Sequence, residues 1–186
     1  MRKNYRDMEW MLIICLSALF VVMPRKILPY FNLLLTFLFL FVSSYFSVKT
    51  LFLSNPFQYS LPFHFWGNEL MLSMDRLSAF FVLIINITTL VSSIYSLQYL
   101  KMYVQKSRHE MALHYFSFFT LYWSMVVLTM LQNTIAFLVV WEIMSLSSFF
   151  LVMFEAEKSA TQKAGINYFI QMHFAALFLL IGIIVL

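Results

Sequence analysis

A single cysteine, Cys15, stands in the whole chain, so no intrachain disulfide can form. One thiol also cannot build an iron–sulfur or zinc cluster, which needs several ligands at set spacings. Only three glycines are present, and no Gly-rich phosphate loop, GxSxG or HExxH pattern occurs. The scarcity of Gly and Pro excludes a disordered or collagen-like chain. Charge is equally sparse. Asp, Glu, Lys and Arg make up 11% of the residues, against about a quarter in a soluble domain.

What fills the chain is apolar. It is 62% hydrophobic, with 22 Phe and 13 Met among 186 residues. This composition predicts an all-α integral membrane protein whose environment is the lipid bilayer. The formal net charge of +4 carries no implication of nucleic acid, because basic residues flanking apolar spans are the ordinary membrane pattern.

The apolar runs divide the chain. Residues 1–9 form a polar basic tail, and 10–48 hold the first two spans, Trp10–Met23 and Ile27–Val48. A signal peptide competes for the first run, but no small-x-small cleavage site follows it. Residues 49–74 contain Pro56, Pro62 and Gly67 and partly alternate, which predicts an extramembrane loop with short strands, a hairpin. Residues 75–186 hold four further spans: Asp75–Leu100, Met111–Leu131, Thr134–Phe154 and Lys163–Leu186. Each is close to the ~20 residues that cross a hydrocarbon core. Between them lie a polar loop, Met102–Glu110, a tight turn at Gln132–Asn133 with Asn133 as helix cap, and a charged loop, Glu155–Gln162. About six transmembrane helices result. The loops after spans one, three and five carry about seven Lys/Arg, against about five on the other side, which predicts that Met102–Glu110 is cytoplasmic. The apolar ending "FLLIGIIVL" has no polar flank and is read as the end of an N-terminal fragment.

Chemistry concentrates at few positions. Glu142 lies about 13 residues from Glu155, roughly 20 Å deep in its span. A charged acid at the bilayer centre costs at least ~2.5–3.5 kcal/mol, and protonation lowers that cost. Such a group can load and release a proton; the bland alternative is a structural acid bonded to a neighbouring helix. His173, about 10 residues into the last span, reaches a similar depth in an antiparallel hairpin and titrates near neutrality. It serves either as a relay or as a helix–helix hydrogen bond. Ser145 flanks the face of Glu142. Asp75 and Arg76 at the mouth of the third span, and Lys163 at the start of the sixth, are weaker supporting candidates that suit helix-end and snorkelling roles. His114 suits an interfacial position, Trp141 is expected to pack beside Glu142, and Glu155, Glu157 and Lys158 are expected to form a solvated loop. No catalytic residue and no cofactor or metal site is assigned.

The stretch "VVWEIMSLSSFFLVMFEAEKSATQKAGINYFIQMHFAALFLL" resembles the antiporter-like membrane subunits of respiratory complex I, Mrp-type cation/proton antiporters and membrane-bound hydrogenases. The likeness is greatest to the large membrane subunit of hydrogenase-4 and formate hydrogenlyase. "LSMDRLSAFFVLIIN", Leu72–Asn86, resembles that family's entry to its third helix, and the likeness covers roughly 70–186. The resemblance implies a proton channel that includes Glu142, paired with a lysine on a seventh helix. Many relatives carry a basic residue where this chain has Asn167. It also implies a non-catalytic proton-channel subunit of an oxidoreductase complex, similar to NADH:quinone oxidoreductase or hydrogenase. Iron–sulfur clusters, flavin or a nickel–iron centre are then expected only in partner subunits, membrane and peripheral. The location implied is a bacterial plasma membrane. An Mrp-type antiporter component, a structural scaffold, and a haem protein using His114 and His173 are the competing readings. Their depths differ by about 12 Å, too far for one haem.

Overall fold

The computed structural model describes residues 20, 23–53, 57–65, 68–103 and 105–185. Five helices and one hairpin appear there: α1 (Leu28–Leu53), β1 (Phe57–Phe65), β2 (Asn68–Met74), α2 (Arg76–Tyr99), α3 (Arg108–Leu128), α4 (Thr134–Val152) and α5 (Ser159–Val185). All five are long and apolar enough to cross a membrane. The basic tail, Cys15, Trp10 and most of the first expected span lie outside the described residues.

The helices are apolar on every side, and the surface shows why. Phe41 is 75% exposed, Phe52 82% and Phe178 71%, which suits lipid as the surrounding solvent. The interior holds small polar residues instead. On α1 the buried positions include Asn32, Thr36, Ser43, Ser47 and Thr50, all on one helical face. Between helices in lipid, apolar burial gives no advantage over lipid tails. Close packing and interhelical hydrogen bonds hold the bundle instead.

The clearest such bond set joins three helices. Asn86 of α2 donates through Nδ2 to Ser44 Oγ at 2.7 Å and Ser43 Oγ at 3.0 Å on α1. Its Oδ1 accepts from Tyr122 Oη of α3 at 2.7 Å. Asn86→Leu removes all of these, so a loss of about 1–2 kcal/mol is expected from interhelical bonds in lipid. Unfolding in mixed micelles measures it; unchanged stability would show that this node does not hold the bundle.

Caps set the helix ends. Asp75 Oδ1 accepts from Ser78 N at 2.7 Å at the start of α2, and that bond holds its carboxyl below the ordinary 3.8. Asn133 caps α4 through Ile135 N and Ala136 N, both at 3.0 Å. α3 begins at Arg108, three residues earlier than expected, because Ser107 and Glu110 form a reciprocal capping box. α5 likewise begins at Ser159 rather than Lys163.

The hairpin pairs Phe57 with Met74 through Phe65 with Asn68, with an irregularity between Leu61 and His64. Pro62, which has no N–H to donate, falls within it. The hairpin docks on the α3–α4 turn: Ser73 N donates to Met130 O at 2.8 Å and Gln132 N to Met71 O at 3.2 Å. The opposite end of the bundle carries the 100–107 and 153–158 connections.

Candidate functional site

α4 and α5 run antiparallel, joined by a short 3₁₀ turn, Met153–Glu155, and three further residues. Three contacts fix their register. The Ser148 and Tyr168 hydroxyls share a hydrogen bond, the Phe149 and Phe169 rings lie 5.0 Å apart, and Glu142 meets His173. Gly165 permits the close approach, since an added Cβ would sit 2.5 Å from Met153 Sδ.

Glu142 Oε2 and His173 Nε2 are 3.5 Å apart. The other ring nitrogen, Nδ1, lies 2.9 Å from the Phe169 carbonyl oxygen. A carbonyl only accepts, so the Nδ1 hydrogen bond requires the proton there. Nε2 is thereby aimed at the carboxyl. In the neutral pair the acid O–H points to the Nε2 lone pair; in the ionised pair an imidazolium N–H points to the carboxylate. One proton serves either state. The Phe169 ring, 4.1 Å from the imidazole, holds it in this orientation. At 3.5 Å the two groups are in contact, just beyond a closed hydrogen bond. A small shift of either side chain makes the bond.

Ser145 contributes less than its spacing suggests. Its Oγ donates to the Glu142 backbone oxygen at 3.0 Å and stands 3.5 Å from Oε2. The side chains of Glu142 and His173 are 37% and 39% exposed. Within a bilayer that opening faces lipid unless another helix covers it.

The remaining sequence candidates are not brought to this pair. Asp75 is a helix cap and Arg76 is exposed at the hairpin end. Lys163 is exposed in the second turn of α5. Trp141 packs on Phe137, ring centroids 5.8 Å apart, and its Nε1 is buried with no hydrogen-bond partner. The His114 ring packs on Phe154 at 4.5 Å, beside a cavity of about 160 Å³ shared with Lys106, Glu110 and Glu157.

The charged loop is solvated at Glu157 and Lys158, 79% and 66% exposed, and it is also tied to the neighbouring connection. Lys106 Nζ reaches Glu157 Oε1 at 2.7 Å and Glu110 Oε1 at 3.2 Å, and it lies over the Phe154 ring at 5.5 Å. Glu155 accepts from Tyr103 Oη and pairs with Lys158 at 2.6 Å. The hydroxyls of Tyr99 and Tyr103 are 2.8 Å apart. These contacts clamp the α2–α3 and α4–α5 connections together. The physical reason is Phe154, whose apolar surface draws Lys106 and Tyr103 inward and leaves their polar ends on the loop acids. Tyr99, Tyr103 and Lys106 of this clamp, and Tyr168 on the α4–α5 seam, were not singled out from the sequence, where only the Ser107–Glu110 capping spacing marks this end of the bundle.

Glu157, then Glu110, hold Lys106 above the ordinary 10.5. A raised lysine contributes its stabilisation below the ordinary value and loses it as pH rises through the folded one. On the alkaline side the clamp is therefore expected to persist across neutral pH and to loosen above about pH 10.5. Amide exchange over 100–107 as a function of pH tests this, after correction for intrinsic base catalysis. Loosening between pH 7 and 9 would contradict it.

The fold and site together define a multi-pass membrane protein with a carboxylate–imidazole pair inside its helices. Residues 131–186 match the family described as NADH:quinone oxidoreductase/Mrp antiporter, transmembrane part. Hydrogenase-4 component B of Escherichia coli K12 is 36% identical over 129 residues, which is 69% of this chain and 18% of that protein. A Staphylococcus aureus protein named as an antiporter subunit, mnhA2, is 33% identical over 116 residues, 62% of this chain and 14% of that protein. The chain belongs to the antiporter-like membrane-subunit family shared by NADH:quinone oxidoreductases, Mrp antiporters and membrane-bound hydrogenases. It is an integral multi-pass membrane protein, and its relatives' organisms are consistent with a bacterial plasma membrane. The chain spans less than a fifth of the length of either relative.

Proposed function

We propose that this chain is part of a membrane subunit of a proton-translocating oxidoreductase complex and that Glu142 carries the proton, with His173 as its exchange partner. The observation that supports this most is the 3.5 Å Glu142–His173 contact at mid-span, in which one proton has two alternative seats. The match to hydrogenase-4 component B favours a redox-driven complex. On this reading electron transfer belongs to partner subunits holding iron–sulfur clusters, flavin or a nickel–iron centre, as the family resemblance implies.

The half-open pair fits a further helix that closes it and supplies a cation or donor, in keeping with the family's lysine. On this reading the chain alone, reconstituted in liposomes under an imposed potential, conducts no protons. Flux that Glu142→Gln removes would show that no covering helix is needed. The test of the function itself is proton uptake coupled to electron transfer in vesicles holding the complete assembly. Full coupling in an assembled Glu142→Gln complex rejects it.

The mnhA2 match favours a second reading, a cation/proton antiporter component. Proton release driven by an imposed sodium gradient, without any electron donor, would favour it over the first.

A further inference from the structure

One end of the bundle carries a second site, on the far side of α3 from the cavity beside His114. A cavity of about 610 Å³ opens where α1 begins, α2 ends and α3 begins. Three cations line it: Arg25, Lys26 and Lys101. Among its described lining residues there is no acid. The rest of the wall is apolar or aromatic, with Tyr30, Leu97, Leu100 and Tyr115 prominent.

Position decides what such a cavity takes. Arg25 and Lys26 lie two to three residues before α1, Lys101 lies in the 3₁₀ turn after α2, and Met111 stands in the first turn of α3. All lie at or near the ends of helices long and apolar enough to cross a membrane, where headgroups are expected. Arg25 is anchored at the rim, its Nη2 donating to the Tyr103 carbonyl at 2.8 Å. Lys26 and Lys101 are exposed, and among the described residues neither pairs with a carboxylate. By contrast, Lys106 and Lys158 nearby are both neutralised by glutamates. Two lysines beside an apolar wall, with Arg25 held at the rim, match a phosphate attached to acyl chains at a membrane surface.

We propose that this cavity binds an anionic phospholipid, with Lys26 and Lys101 on the phosphate and the α1–α2 wall along the first part of an acyl chain. The volume exceeds what a free phosphate fills, and the apolar wall gives such an ion nothing. The site is independent of the proton pair on α4 and α5. It fastens the α1–α2 end of the bundle to one leaflet.

Native mass spectrometry of the full chain in detergent, titrated with phosphatidylglycerol or phosphatidylcholine, tests it. The expected result is preferential retention of phosphatidylglycerol. Lys26→Gln and Lys101→Gln should each weaken that retention roughly fivefold, and the double variant about 25-fold, from the usual contribution of one basic residue near an anionic surface. Lys49→Gln, at the other end of α1, should leave retention unchanged. Circular dichroism of each variant confirms that the helices remain. Equal retention of the two lipids, or retention indifferent to both substitutions, overturns the proposal. Displacement of phosphatidylglycerol by millimolar inorganic phosphate also overturns it, because the site would then be one for the free anion.

Discussion

Proton uptake coupled to electron transfer is expected to fall to background when Glu142→Gln is introduced into the complete assembly. The loss should be on the order of 10²-fold or more, the scale at which a positioned proton-transfer group contributes. Gln keeps the shape and a hydrogen-bonding oxygen but has no proton to exchange. It still reaches His173 Nε2, now as a neutral amide donor, so α4 and α5 should remain packed and the complex should assemble. Glu142→Asp should retain part of the coupling. It keeps the proton site but shortens a reach already at 3.5 Å. Assembly, followed by co-purification of the partner subunits, separates a lost proton site from a lost complex.

His173→Ala is expected to give the next largest effect, a loss of roughly two- to tenfold, the scale of one hydrogen bond. The imidazole is one of two seats for the proton, whereas the carboxyl is the seat within α4. Its removal also frees the Phe169 carbonyl, which is already bonded within the helix. His173→Gln should resemble Ala in coupling, because an amide restores a contact but does not titrate in the working range. Its pH–rate profile would distinguish the roles. If the imidazole only held two helices together, Gln would rescue the Ala variant; if it exchanges a proton, Gln would not.

Much of this was legible in the sequence for a simple reason. Lipid as solvent forces every span to be a long apolar helix, so the runs beginning near Asp75, Met111 and Thr134 announce α2, α3 and α4. Caps with their own chemistry, Asp75 and Asn133, were equally plain. The depth argument for Glu142 and His173 rested on helical rise alone and put them roughly 20 and 15 Å deep, at similar depth; that their side chains face one another at 3.5 Å depends on helix rotation, which the rise does not give. The helix starts at Arg108 and Ser159 were placed three and four residues too late, because polar first turns were read as loop. The Lys106–Glu157 clamp was not legible at all. It joins residues 51 apart in sequence, and nothing local marks such a pair. The Asn86–Tyr122–Ser43 node was missed for a similar reason. Isolated Asn and Ser in an apolar run carry no period, and their value appears only once three helices meet.

The sharpest single test is difference infrared spectroscopy of the complete assembly between its oxidised and reduced states. A proton that moves between the Glu142 carboxyl and the His173 ring must change both groups together. The prediction is a protonated-carboxyl stretching band that appears or vanishes with turnover, is absent in Glu142→Gln, and is accompanied by an imidazole change that disappears in His173→Ala. A difference spectrum whose carboxyl bands are identical in wild type and Glu142→Gln would contradict it, and would leave Glu142 as a structural hydrogen-bonding residue.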